Sequence, residues 1–185
     1  MIDLTGKPFY LSAIDIEWVK STLASMSDEE KIGQLFVPIG FSGDPDYLEN
    51  ALLRFHIGGI MYRSGESSEM QTTHRYLQEH SKIPLLIASN LESGGNGAAL
   101  EGTFYGRQMQ VAATGDPENA YHLGKISCVE GKAAGVNWSF APVVDIDMNW
   151  RNPITNNRTY GADPAMVLAC GRNYLKAARE ENVAV

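Results

Sequence analysis

Cysteine is scarce: the 185-residue chain has only Cys128 and Cys170, both in stretches with helical periodicity. Two such residues cannot build a disulfide framework or a close-spaced metal cluster, so buried free thiols and a reducing cytoplasm are expected. Basic residues are also in deficit. Fifteen Lys and Arg against 22 Asp and Glu give a net charge of -7, with no cluster able to neutralise a run of phosphates. Nucleic acid and anionic membrane surfaces are therefore excluded as partners. No apolar run approaches the ~20 residues a membrane helix needs, and "MIDLTGKPFY" lacks a basic head followed by an apolar stretch. The four histidines, His56, His74, His80 and His122, fall in or beside expected helices, where surface or core positions are the default.

What the chain does have is an ordinary globular balance, 44% hydrophobic and 20% charged, enough for one sizeable core. Ser27 followed by Glu30, ahead of "KIGQLF", forms a capping box and starts a helix. Upstream, Ile14, Trp18 and Leu23 stand near helical spacing, so residues 1–26 read as a helical extension packing on the main unit, residues 27–185. Within that unit, the apolar runs "LFVPIG", "GGIMYR", "PLLIASN" and "VNWSFAP" alternate with helical stretches such as "PDYLENALLRF", "SEMQTTHRYLQEH" and "PENAYHLGKISCVEGKAAG". Continuously apolar strands, each followed by a helix, indicate a parallel sheet. A further helix from about Pro164 to Glu181 leads into "NVAV", the opening of a fifth strand. A complete eight-unit barrel takes ~250 residues, so the fold class is α/β, about the first half of a (β/α)8 TIM-like barrel truncated near strand five.

Chemistry in such folds gathers at the carboxyl ends of the strands, where the loops converge. The third strand is followed by "SNLESGGNGAALEGTFYG", with Asn90 and Glu92 at its tip and glycines that admit close backbone approach. The fourth is followed by a long polar loop holding Asp145, Asp147, Arg151, Asn156, Asn157 and Arg158. Carboxylates, amides and guanidiniums without a nucleophile beside a base suit neutral, hydroxyl-rich ligands, because paired acceptors or forked donors bridge vicinal hydroxyls. Trp138 would offer an apolar face, although a core position is the stronger expectation for it. Asp145 and Asp147 read first as loop-pinning acceptors of backbone N–H groups. A metal site of Asp145, Asp147 and Asp163 matches no calcium-loop spacing. "ESGGNG" lacks the endings of phosphate-binding loops. No metal or cofactor is expected.

The pieces "EKIGQLF", "GGIM", "PLLIASNLESGG" and "GVNWSFAPVVDIDMNWRNPITNNRTYGADP", taken in order, resemble the N-terminal barrel domain of glycoside hydrolase family 3, in its β-N-acetylhexosaminidase-like branch. That resemblance implies a retaining β-glycosidase hydrolysing terminal β-linked N-acetylglucosamine or related sugars. It also implies a nucleophilic Asp near the end of strand seven, an acid/base His on the loop after strand five and a sugar-binding Lys-His pair. All three lie beyond Val185, so no catalytic residue is expected here and the chain alone should be inactive. By resemblance, Arg158 grips a sugar hydroxyl, and Asn90 stands where most relatives place an Asp that accepts from outer hydroxyls. Glu92 is expected to orient Arg158. Two departures stand out: Asn90 lacks the acid's charge, and "NGAALEG" lacks the arginines many hexosaminidase relatives carry. A second reading is a half-barrel carbohydrate-binding or interaction module without hydrolase activity, forming a homodimer through its open strand edges. A metal lyase or aldolase would need a strand-end Lys or a His/carboxylate cluster, and neither is visible.

Overall fold

The computed structural model describes residues 2–185. Helix α1 (Ala13–Ser25) starts at a reciprocal cap the sequence reading passed over: Ser12 Oγ accepts from Asp15 N at 3.3 Å, and Asp15 Oδ2 accepts from Ser12 N at 3.2 Å. None of its residues is buried, and it contributes nothing to the apolar clusters that make the core. Helix α2 (Asp28–Gly33) begins at the expected capping box, with Glu30 N donating to Ser27 Oγ at 3.1 Å and Ser27 N to Glu30 Oε2 at 2.7 Å. It docks closely on the segment entering the sheet. A Cβ on Gly33 would lie 2.1 Å from the Phe55 carbonyl oxygen, and Gln34 Nε2 donates to His56 O at 2.8 Å.

The sheet is parallel throughout. Strand β1 (Gly59–Met61) pairs with β2 (Leu86–Ser89), which pairs with β3 (Trp138–Ser139). Two of the expected strands are reduced to single bridges, Ile39 to Met61 on one edge and Trp138 to Ala184 on the other. In "LFVPIG", Pro38 has no N–H to give; the run is held by Phe36 O accepting from Gly58 N at 3.2 Å, Pro38 O accepting from Met61 N and Gly40 N donating to Met61 O, the last two at 2.9 Å. Taken with the bridges, the five strand positions lie side by side in chain order. Doubly wound sheets reverse at a switch point, whereas a barrel adds strands consecutively, so this order is that of a partial TIM-like barrel.

Helices cover one face. "PDYLENALLRF" starts as α3 (Pro45–Tyr47), widens into a π turn (Leu48–Leu52) and tightens to a 3₁₀ turn (Leu53–Phe55) that ends at His56 with φ 55°. Helix α4 (Ser67–His80) brings Met70 and Leu77 onto Ile60, Ile87 and Leu48. The loop after β2 contains a short helix absent from the sequence reading, α5 (Gln108–Ala112). Helices α6 (Glu118–Ala133) and α7 (Pro164–Glu180) pack Leu123 and Cys128 against Val167, Cys170 and Tyr174. Gly124 permits that approach, since a Cβ there would sit 3.0 Å from the Tyr174 carbonyl oxygen. Cys128 and Cys170 are buried free thiols, and burial pushes the Cys128 thiol up to about 11.

The opposite face is partly uncovered, although Met61 and Ala88 on it are buried. Ile60 and Ile87 are fully buried towards the helices, while Leu86 and Phe140 stand 46% and 41% exposed. Trp138 is half-buried, its ring edge-on to Phe140 at 4.7 Å, so the core position favoured for it from sequence is corrected. Side chains alternate across a strand: Ser139 turns towards α7, reaching Tyr174 Oη at 3.1 Å, so its neighbours Trp138 and Phe140 point the other way.

Candidate active-site rim

The carboxyl ends of β2 and β3 carry the two polar loops onto one rim, and an ion pair ties them together. Arg158 Nε donates to Glu92 Oε2 at 2.8 Å and Arg158 Nη2 to Glu92 Oε1 at 2.6 Å, a forked contact spanning 66 residues of chain. The Glu92 side chain is only 8% exposed and that of Arg158 38%, so the carboxylate is enclosed and the guanidinium reaches solvent. Arg158 Nη1 also donates to Ile154 O at 3.3 Å. Hydrogen bonding to Glu92 holds Arg158 above its ordinary value against the opposing effect of burial, with the charges of Glu92 and Asp145 adding to it. A guanidinium has five N–H donors; with three engaged, two remain for a ligand.

Local structure explains why the pair forms. Arg158 ends a 3₁₀ turn (Asn156–Arg158) whose first residue is left-handed, φ 34°, a conformation asparagine tolerates. Beyond it the chain is fixed by Gly161 N donating to Thr159 Oγ1 at 2.7 Å, and by Asp163, which caps α7 through Ala165 N at 2.9 Å. On the other side, Glu130 of α6 receives Thr103 N at 2.7 Å and Thr103 Oγ1 at 2.6 Å. Gly94 sits against that segment with φ 133°, where a Cβ would fall 1.9 Å from the Thr103 carbonyl oxygen. Glu101 accepts from Ser67 N and Oγ at the start of α4. Gln108, fully buried, clasps the backbone leaving β3, donating to Val143 O at 2.8 Å and accepting from Val143 N at 2.9 Å.

Among the residues singled out from sequence, Asn90 lies at the tip of β2, exposed, with its backbone oxygen against Gly97. Glu92 and Arg158 meet directly. Asp145 is exposed and accepts no backbone N–H among the described residues, so the loop-pinning role expected for it is corrected. In Asp147 the backbone does that work, its N–H donating to Gly161 O at 3.0 Å, while its Oδ1 is buried without a partner. Arg151 stacks over Trp150 at 4.8 Å, away from the ion pair's hydrogen bonds. Asn156 Oδ1 receives Asn157 N at 2.8 Å, and both residues are exposed. Glu130, Glu101 and Gln108 escaped sequence reading because their partners lie 27 to 35 residues away in the chain, which leaves no periodic or motif signal. Among the described residues no group of three or more His, Cys, Asp and Glu is placed to hold a metal ion.

Residues 27–185 match the family described as the glycosyl hydrolase family 3 N-terminal domain. The chain belongs to glycosyl hydrolase family 3. The β-N-acetylglucosaminidase/β-glucosidase of Cellulomonas fimi is 44% identical over 184 residues, covering 100% of this chain and 33% of that protein. Among solved structures, a β-glucoside phosphorylase bound to 2FGlc superposes with a TM-score of 0.90 at 44% identity, covering 97% of this chain and 33% of that one. A family 3 β-N-acetylglucosaminidase from Paenibacillus sp. str. FPU-7 gives 0.79 at 29% identity, over 86% of this chain and 32% of that one. The chain thus spans about a third of the length of these relatives.

Proposed function

We propose that this chain is the sugar-holding N-terminal part of a retaining β-glycosidase that acts on terminal β-linked N-acetylglucosamine or related sugars. The observation that carries the reading is the forked Glu92–Arg158 pair, which locks two strand-end loops together and leaves two N–H groups of a partly exposed guanidinium uncommitted among the described residues. Asn90, two residues from Glu92 on the same tip, adds an amide that both donates and accepts. In this role Arg158 and Asn90 bind and orient the glycone hydroxyls, and Glu92 fixes the guanidinium plane so that little rotamer freedom is lost on binding. The attacking carboxylate and the acid/base group come from sequence outside this chain.

The relatives' names support two acceptors. One is a phosphorylase, so transfer to inorganic phosphate is read alongside transfer to water. A neutral Asn90 in place of a carboxylate is compatible with either. The deciding assay joins the chain to the sequence following it in its gene and tests aryl β-N-acetylglucosaminide and aryl β-glucoside with and without phosphate. Release of the aryl group with retention supports the proposal, and phosphate-dependent sugar 1-phosphate identifies the acceptor. Silence on every β-linked sugar sinks it. The 185-residue chain by itself is expected to show no turnover. Residues 1–26 are proposed as a helical extension packing on the barrel of residues 27–185, and the buried free thiols Cys128 and Cys170 favour the cytoplasm.

A further inference from the structure

A second cleft opens on the same rim, one strand away from Asn90. The loop following the first strand position (Ile39–Asp44) forms one wall, and the residues leaving β1, with the first turns of α4, form the other; together they enclose about 820 Å³. Its position relative to β2 is fixed by Tyr62 N donating to Ala88 O at 3.2 Å and by Leu100 N donating to Gly65 O at 2.9 Å.

The walls are pre-formed. Tyr62 Oη donates to Ser42 O at 2.7 Å, Asp44 N to Ser42 Oγ at 3.0 Å, and Tyr47 N to Asp44 Oδ1 at 3.0 Å. Gly40 lies against the Tyr62 ring, where a Cβ would be 2.2 Å from Cζ, and Gly43 against the Thr73 hydroxyl, at 2.3 Å. These contacts hold the loop down and leave several polar groups unspent. Arg63 makes no ion pair among the described residues, and neither does Glu69. The Thr73 side chain lines the cleft while only 6% exposed. Ser64 and Ser68 add hydroxyls, and Phe41, 83% exposed, offers an aromatic face at the mouth.

We propose that this cleft, lined by Phe41, Arg63, Ser64, Glu69 and Thr73, is a second saccharide subsite, distinct from the Asn90–Arg158 pocket. Two carboxylates against one guanidinium disfavour an anionic ligand. One forked donor and one acceptor among hydroxyls match the vicinal hydroxyls of a neutral pyranose, and a phenyl ring covers its C–H face. A preformed wall of hydrogen-bonded backbone keeps the ordering cost low.

The test is an amide chemical-shift titration of the purified chain with N-acetylglucosamine, chitobiose, cellobiose and inorganic phosphate. A disaccharide is expected to shift Arg63, Ser64 and Thr73, and to do so equally in Arg158→Ala, which separates this cleft from the proposed glycone pocket. Arg63→Ala should weaken the cleft response by about tenfold, the loss of one charged hydrogen-bonding anchor, and leave shifts around Glu92 in place. Thr73→Val, with the same shape and an intact fold by circular dichroism, should weaken it further. Shifts confined to the β2 and β3 loops, a cleft response to phosphate alone, or no cleft response at saturating disaccharide would each overturn the proposal.

Discussion

Glu92 is left as an enclosed carboxylate without its counter-charge when Arg158 is replaced by methionine. Because the guanidinium end is partly open to water, the expected cost is about 1–3 kcal/mol, below that of a fully buried pair. The double variant E92Q/R158M should recover part of the loss, since no charge is then stranded; urea unfolding of wild type, both singles and the double measures the coupling. A pH effect resides at His74. Its Nδ1 lies 2.7 Å from Ala134 O and its Nε2 is buried without a partner, and burial lowers its pKa below the ordinary 6.5. The Tyr62 ring packs against it, and the groove beside it contains Arg75 and Lys132 and, among the described residues, no carboxylate to compensate a protonated ring. A depressed folded-state pKa means the unfolded chain takes up the proton first, so stability present above about pH 6.5 falls as acid is added. His74→Gln should flatten the slope of unfolding free energy below that pH; an unchanged slope would remove His74 as its source. Of these residues, Arg158 and Glu92 were legible because they sit in recognisable strand-end stretches. His74 was readable only as one of several helical histidines, since its isolation depends on the α6–β3 turn that covers it.

Helices were legible as elements and strands only as places. "SEMQTTHRYLQEH" and the stretch from Pro164 appear as α4 and α7 with nearly the expected bounds, because amphipathic period and caps are local signals. The apolar runs read as strands shrink to two, three and four residues, and "LFVPIG" and "NVAV" to one bridge each. An apolar run reports burial, whereas pairing depends on a neighbour elsewhere in the chain, and an edge strand with Pro38 has few N–H groups to pair. The π turn at Leu48–Leu52 was unreadable for a similar reason: nothing in "LENAL" departs from helical composition. The β2 loop is the element on which the site depends most, since it holds no regular ladder and is kept in place by Glu130, Glu101 and close glycine contacts. Gly94→Ala puts a Cβ where the Thr103 carbonyl oxygen already lies and imposes φ 133° on a side-chain-bearing residue. The expected cost is about 1–3 kcal/mol of backbone strain, with helix content unchanged by circular dichroism. Amide shifts for Asn90 and Glu92 should then spread over several conformers. A single sharp set, with sugar response intact, would show that the loop does not need that turn.

At the scale of the molecule, strand order carries the fold: five positions in chain order, helices on one side, and an inner face buried at Met61 and Ala88 but open at its flanks. That face bears Leu86 and Phe140, 46% and 41% exposed, beside the half-buried Trp138, and the loop beyond β3 separately exposes Met148 at 89% and Trp150 at 75%. The sequence foresaw the partial barrel but not which side chains it would uncover, because alternation across a strand assigns faces only once register is fixed. Apolar surface of this kind is unfavourable in water, and both sheet edges also keep unpaired backbone groups, so the isolated chain should self-associate. Sedimentation velocity over a concentration series is expected to show a rising mean mass. The variant Leu86→Lys should shift that curve towards monomer, since removing one large apolar side chain from a shared interface forfeits about 1.5–3 kcal/mol, tenfold or more in the association constant. If the edges alone drove association, Leu86→Lys would leave the curve where it was, and a lysine on Ile39 or Ala184 would move it instead. A chain that stays monomeric at every concentration would mean that the inner face is covered by something other than a second copy.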